Sequence, residues 1–99
     1  MDVRHDDPKL ERLETDHTFT GGLAVGLVRA FRKVMNLVRR VENEAKLYQW
    51  KALRFEKLKG KRSHQRSLRL NNQWRLIVEF EKGDVGNRMI VKGIEDYHH

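Results

Sequence analysis

Ser67-Leu68-Arg69-Leu70-Asn71-Asn72-Gln73-Trp74-Arg75-Leu76-Ile77-Val78-Glu79-Phe80-Glu81 carries two alternating apolar and polar segments on either side of a polar break. A period of two marks strands with one buried face, and the Asn-Asn-Gln interruption supplies the turn. The register follows from the pattern. A three-residue loop sets Leu70 against Trp74 and Leu68 against Leu76, so the apolar faces agree. A two-residue turn would set Leu68 against Arg75 and make them conflict. The three-residue loop places Arg69 directly opposite Arg75 on the other face.

Working outward, residues 81–87 contain Gly83 and Gly86 and read as a second hairpin loop, and Arg88 to Tyr97 as a last strand. Upstream, Leu27, Phe31, Val34, Val38, Val41 and Ala45 recur at spacings of 4, 3, 4, 3 and 4, which is one face of a helix from Leu23 to about Ala45. Three heptads without acidic flanking positions argue against a coiled coil. Pro8 suits the first turn of a shorter helix bearing Leu10 and Leu13, and residues 17–22 form a loop ending in Gly21-Gly22. Residues 2–7 can be a strand only by pairing with others. The expected fold is α+β: a short N-terminal strand, two helices, then a three-stranded antiparallel meander with the helices on one face.

The chain has 99 residues, which predicts one domain spanning 1–99. Apolar residues make up 38% and charged residues 35%, so the core is thin and the surface ionic. The net charge of +7 is uneven: residues 1–23 hold six acids and three bases, whereas Lys51 to Arg75 hold nine bases and one acid, Glu56. Such a run suits a polyanion, with phosphate backbones ahead of an anionic membrane surface. The absence of cysteine excludes disulfides and thiolate metal sites, and no apolar run is long enough for a signal segment or a membrane span, which leads us to expect a cytoplasmic protein.

Two groups of residues carry candidate chemistry. The first is the basic run of Lys51, Arg54, Lys57, Lys59, Lys61, Arg62, Arg66, Arg69 and Arg75, with Phe55 and Trp74 interleaved. Most charge runs are merely solvated, but eight net charges repel one another, and opposed Arg69 and Arg75 add a cross-strand cost. Arginine forks match phosphate oxygens, and a cationic sheet suits single-stranded RNA better than duplex DNA. The second group is Glu95-Asp96-Tyr97-His98-His99. Asp96 and His98 are two apart and share a face of an extended strand, a plausible acid and base pair near neutral pH. RNA cleavage needs little more, because the 2′-OH is an internal nucleophile and no metal is required. His99 reads equally as the stub of an affinity tag. His5, His17 and His64 lack metal-site spacing, and Glu56 is either a proton acceptor or a local salt-bridge partner.

Three separated blocks then carry a resemblance: Arg54-Phe55-Glu56-Lys57-Leu58-Lys59-Gly60-Lys61-Arg62, Gln65-Arg66-Ser67-Leu68-Arg69-Leu70-Asn71-Asn72-Gln73-Trp74-Arg75, and Glu95-Asp96-Tyr97-His98. They resemble the HigB toxins of the RelE/ParE superfamily, with a Leu-Lys-Gly-x-Arg turn, a Ser-x-Arg-x-Asn-x-x-Trp-Arg hairpin and a terminal Asp-Tyr-His. The resemblance covers about residues 52–98; residues 1–50 match only in layout. It implies the toxin of a type II toxin-antitoxin pair: a cytoplasmic, metal-independent endoribonuclease that cuts mRNA in the ribosomal A site and leaves a cyclic phosphate, without a cofactor. Its partners would be the ribosome, mRNA and a cognate antitoxin of the helix-turn-helix, HigA-like kind, with no membrane involved. By the same resemblance, His98 and Asp96 transfer protons, Tyr97 stacks on a base or orients the 2′-OH, and Arg75, Arg69 and Lys59 hold phosphate. Arg62, Arg66, Lys57, Lys61, Arg54 and Trp74 contribute to RNA binding. Some relatives have His two residues before the Leu-Lys-Gly turn, where this chain has Glu56, so the base is either that carboxylate or a group of the tail. Lys61 and His64 stand where the family commonly has Asp and Gly.

Two rivals follow from the same residues: a ParE-like toxin that acts on DNA gyrase without nuclease activity, and a plain RNA-binding module. The terminal Asp96-Tyr97-His98 discriminates, since neither rival needs it.

Overall fold

The structure is a computed structural model that describes residues 1–84 and 86–97; Val85, His98 and His99 lie outside the described residues. The chain runs β1 (Val3–His5), α1 (Pro8–Thr15), α2 (Val25–Arg40), α3 (Glu44–Leu47), a 3-10 turn (Lys51–Leu53), β2 (Glu56–Lys57), a second 3-10 turn (Gly60–Arg62), β3 (Arg66–Arg69), β4 (Trp74–Gly83) and β5 (Gly86–Asp96). The strands form one sheet in the order β1-β5-β4-β3-β2, parallel between β1 and β5 and antiparallel elsewhere.

The α+β expectation holds, but the sheet has five strands rather than a three-stranded meander beside a separate N-terminal strand. β1 joins the meander through Arg4↔Ile90, and β2 adds at the far edge through Glu56↔Ser67. A two-residue strand has no alternation to read, so only its partner defines it. The hairpin register is as expected, with Leu68↔Leu76 and Arg69↔Arg75 paired and the Leu70 amide donating to the Trp74 carbonyl at 2.9 Å. The second hairpin loop is shorter than expected, since the strands continue to Gly83↔Gly86. Pairing there outlasts the apolar pattern because Glu81 faces Arg88, 3.5 Å away, and Gly86 takes the positive φ of +82° that the tight turn requires.

Pro8 opens α1, and the Asp7 side chain caps it by accepting from the Lys9 amide. Arg32, on the polar side of α2, donates to the carbonyls of Leu13, Asp16 and Phe19, so it satisfies the end of α1 and the loop beyond it. The long helix stops at Arg40 instead of Ala45. Val41 turns extended, Asn43 caps the separate α3, and the Met1 ammonium donates to the carbonyls of Arg39 and Val41 at 3.0 and 2.6 Å. A cation at this end also complements the helix dipole. The apolar spacing bridges the break because Val41 and Leu47 are still buried.

Phe31, Met35 and Val38 of α2 pack with Leu13, Leu47, Leu68, Leu76, Val78, Met89 and Val91 into the core between helices and sheet. One irregularity in β5 matters for function. Val78 pairs with Val91 but Ile77 pairs with Gly93, so Lys92 is an extra residue, a β-bulge. Met89, Val91 and Ile94 thereby all reach the core, and the side-chain parity of the strand reverses after Lys92.

Candidate active site and nucleic-acid interface

Directly opposed residues share a face, so β-pairing fixes where the predicted residues point. Arg69, Arg75 and Glu95 form one row across β3, β4 and β5 on the face away from the helices. Tyr97 follows on the same side, its ring 5.4 Å from the Arg75 guanidinium carbon, and its amide donates to the Gln73 carbonyl at 2.8 Å. Asp96 pairs with Trp74, on the face of Leu76 and Ile94, and accepts from Gln73 Nε2 at 3.0 Å. The register therefore separates Asp96 from Arg75 and brings Tyr97 to it. His98 lies outside the described residues.

Beside this row is a shallow cleft of about 340 Å³ lined by Glu56, Lys57, Leu58, Lys59, Arg62 and Arg75. β2 and the turn after it supply one wall, and β4 supplies Arg75. The Arg75 side chain is 19% exposed; its Nη2 lies 3.6 Å from Glu95 Oε1, and its buried Nε has no hydrogen-bond partner. Such an unsatisfied donor is costly unless a ligand uses it. Burial pushes the Tyr97 phenol above its usual value, helped by the Glu56 carboxylate and opposed by Arg75, Arg69 and Arg54. Tyr97 is thus a neutral hydroxyl at physiological pH, able to donate to an oxyanion.

Not all the basic run is free for a ligand. Arg62 donates Nη1 and Nη2 to both oxygens of Glu95, at 3.0 and 2.6 Å, and Nε to Gln65 Oε1 at 2.9 Å. The Arg62 contact holds the Glu95 carboxyl below its ordinary range. Arg66 pairs across from Val78 on the helix side, donates to the Ser63 and Gln65 carbonyls and lies 3.8 Å from Glu44. Arg69 is held by its own hairpin loop, through the Asn71 carbonyl and the Asn72 side chain. His64 lies 3.6 Å from Glu79. Phe55 is a core residue, edge-on to Tyr48 and Phe80, and Trp74 is half-buried on the side opposite Arg75. Lys57, Lys59, Lys61 and Arg54 are exposed. Arg54 adopts a positive φ of 43°, a conformation that strains a side chain other than glycine.

The charge count of the run missed its neutralisation, because Glu44, Glu79 and Glu95 come from outside it. Glu95 is the residue of consequence that sequence reasoning left without a role. The signal was present in Met89, Val91 and Ile94, whose apolar spacing changes from two to three and so marks the bulge that turns Glu95 toward Arg75.

Among the described residues no cluster of His, Cys, Asp or Glu could hold a metal ion, and no helix is long and apolar enough to cross a membrane. A search of curated proteins returned no match. Among solved structures the chain is similar to a YoeB/ParE toxin from Agrobacterium tumefaciens, with a TM-score of 0.59 at 15% identity over 99% of this chain and 100% of the other. At that identity the likeness is one of fold. The family described as RelE-like toxin of type II toxin-antitoxin system HigB matches residues 4–98. With nearly the whole length matched and the fold shared, the chain belongs to the HigB-like toxins of type II toxin-antitoxin systems, and an antitoxin partner follows from that membership.

Proposed function

We propose that this toxin, acting as a single domain in the cytoplasm, is an endoribonuclease that cuts translated mRNA in the ribosomal A site. The observation that carries the reading is Arg75: a mostly buried guanidinium with an unused Nε donor, at the wall of a cationic cleft and under the Tyr97 ring. In the reaction, the 2′-oxygen forms a bond to the adjacent phosphorus while the bond to the 5′-oxygen breaks, leaving a 2′,3′-cyclic phosphate and a 5′-hydroxyl. Arg75 and Lys59 bind the non-bridging oxygens and stabilise the charge that grows on them. Glu56, on the cleft, accepts the 2′-OH proton, and His98 protonates the leaving oxygen. Tyr97 donates to an oxyanion or stacks on the neighbouring base, and Asp96 positions the chain end through Gln73. Exposed Lys57, Lys61 and Arg54 track the backbone.

So few side chains give a useful rate only if the substrate is held in line, and the ribosome supplies that alignment. Primer extension on a translated message tests the reading: new 5′ ends appear inside the coding region on toxin expression and vanish when the start codon is removed. Intact message together with a DNA-damage response would instead establish gyrase as the target.

A further inference from the structure

Glu95 is the carboxylate that Arg62 clasps on the cationic face. Arg62 lies in the turn between β2 and β3 yet ends on Glu95 of β5, so it ties that connection to a strand that is not β3's neighbour in the sheet. The carboxylate presents two oxygens to the guanidinium fork, the geometry by which arginine clasps a phosphodiester. Register also fixes it opposite Arg75, 3.6 Å from Nη2. Both guanidiniums of the cleft thus converge on one internal anion, yet Arg75 keeps an unused buried donor.

Resting on the nuclease reading, we propose that Glu95 is an intramolecular surrogate for the substrate phosphate: it occupies the Arg62 fork in the free protein, and RNA binding exchanges it for a phosphodiester. Because the surrogate is tethered, it competes at an effective concentration on the order of millimolar, which a single adventitious phosphate contact does not overcome. A strand held by further contacts does displace it. Glu95 therefore sets a threshold that favours positioned substrate over free polyanion. It is a positioning residue, acting through Arg62.

The experiment measures binding of the intact toxin to a 2′-O-methylated oligoribonucleotide, which cannot be cleaved, by fluorescence anisotropy at fixed salt. Glu95→Gln keeps the shape and removes the charge; it is expected to bind about tenfold tighter, a difference of roughly 1.4 kcal/mol. The gain is expected to disappear when Arg62→Ala is added. Glu81→Gln makes the same charge change away from the cleft and is expected to shift affinity less than threefold. Unchanged or weaker binding by Glu95→Gln, an equal gain from Glu81→Gln, or a gain that persists with Arg62→Ala overturns the proposal. In those cases primer extension on wild-type toxin still decides the nuclease reading by itself. Oligonucleotide binding by neither form overturns the proposal and counts against the nuclease reading as well.

Discussion

The two ends of the sheet treat charge differently. At the β1 edge, Glu14 accepts from Arg39 at 2.6 and 2.9 Å and lies 2.7 Å from His5 Nε2, Asp2 pairs with Arg88 at 2.8 Å, and Asp6 is shared by Arg4 and Lys92. In the cleft at the β2 edge, Arg62 and Arg75 share the single carboxylate of Glu95, and Lys57 and Lys59 make no ion pair among the described residues. Paired charge at one end ties β1, α1 and α2 to the meander. At the other, exposed Lys57 and Lys59 are left without such partners, which is the basis on which we propose a binding surface there. Much of the acidic surplus of residues 1–23 is thereby explained as structure, since Asp2 and Asp6 meet Arg88 and Lys92 of β5 and Glu14 meets Arg39 of α2.

Replacing Arg75 gives the sharpest test of this contrast. Arg75→Ala is expected to lower the cleavage rate by about 100- to 1,000-fold, the usual effect of removing a donor to a transition-state oxyanion, with only a modest fall in melting temperature, because the lost contacts with Glu95 and Tyr97 are partly offset by relief of repulsion with Arg69. Ribosome-programmed cleavage assays beside thermal denaturation would show it, and a variant that unfolds but cuts normally per folded molecule would break the contrast.

The mirror experiment is Glu14→Ala, which strands Arg39 and the mostly buried His5. We expect about 2 kcal/mol of destabilisation in urea, with cleavage per folded molecule unchanged. The acid limb carries the same information. Burial raises the Glu14 carboxyl, but hydrogen bonds from Arg39 and His5 outweigh it and hold the group below its ordinary value of 4.5. The resulting stabilisation is complete above that value and is lost as pH falls through the depressed one. Wild type should therefore lose melting temperature on acidification more steeply than Glu14→Gln.

Smaller effects grade the cleft itself. Lys59→Ala should weaken oligonucleotide binding and reduce the slope of log affinity against log salt by about 0.7, the single-strand value for one lost phosphate contact. An unchanged slope would remove Lys59 from the interface. The smallest effect is expected for Arg88→Ala at the β1 edge: an unchanged salt slope, and no more than a slight fall in melting temperature, because its partner Asp2 is well exposed.

Much of the architecture was legible because burial imposes a period. Leu68, Leu70, Trp74 and Leu76 specified the first hairpin and its register, since a one-residue slip would turn their apolar side chains outward, and Leu27 through Val38 specified α2 by recurring on one helical face. The candidate site was legible as composition, in that Arg75 and Lys59 line one cleft and the Tyr97 ring lies beside Arg75. Partners remote in sequence were not legible. Arg62 to Glu95 and Arg66 to Glu44 join segments that no local pattern relates, so cations that read as free proved to be neutralised.

The sequence by itself determined the layers, the antiparallel run of the last three strands and the sign of the exposed face, because all three follow from side-chain type repeating at fixed intervals. Only the tertiary structure decided which terminal side chains meet Arg75. The extra residue at Lys92 reverses the alternation of β5, so Glu95 and Tyr97 rather than Asp96 reach the cationic face. Such a bulge is stabilised by keeping Met89, Val91 and Ile94 together in the core; their spacing in residues 86–96 signals an irregularity, but packing against the helices and pairing with β4 fix where the extra residue sits.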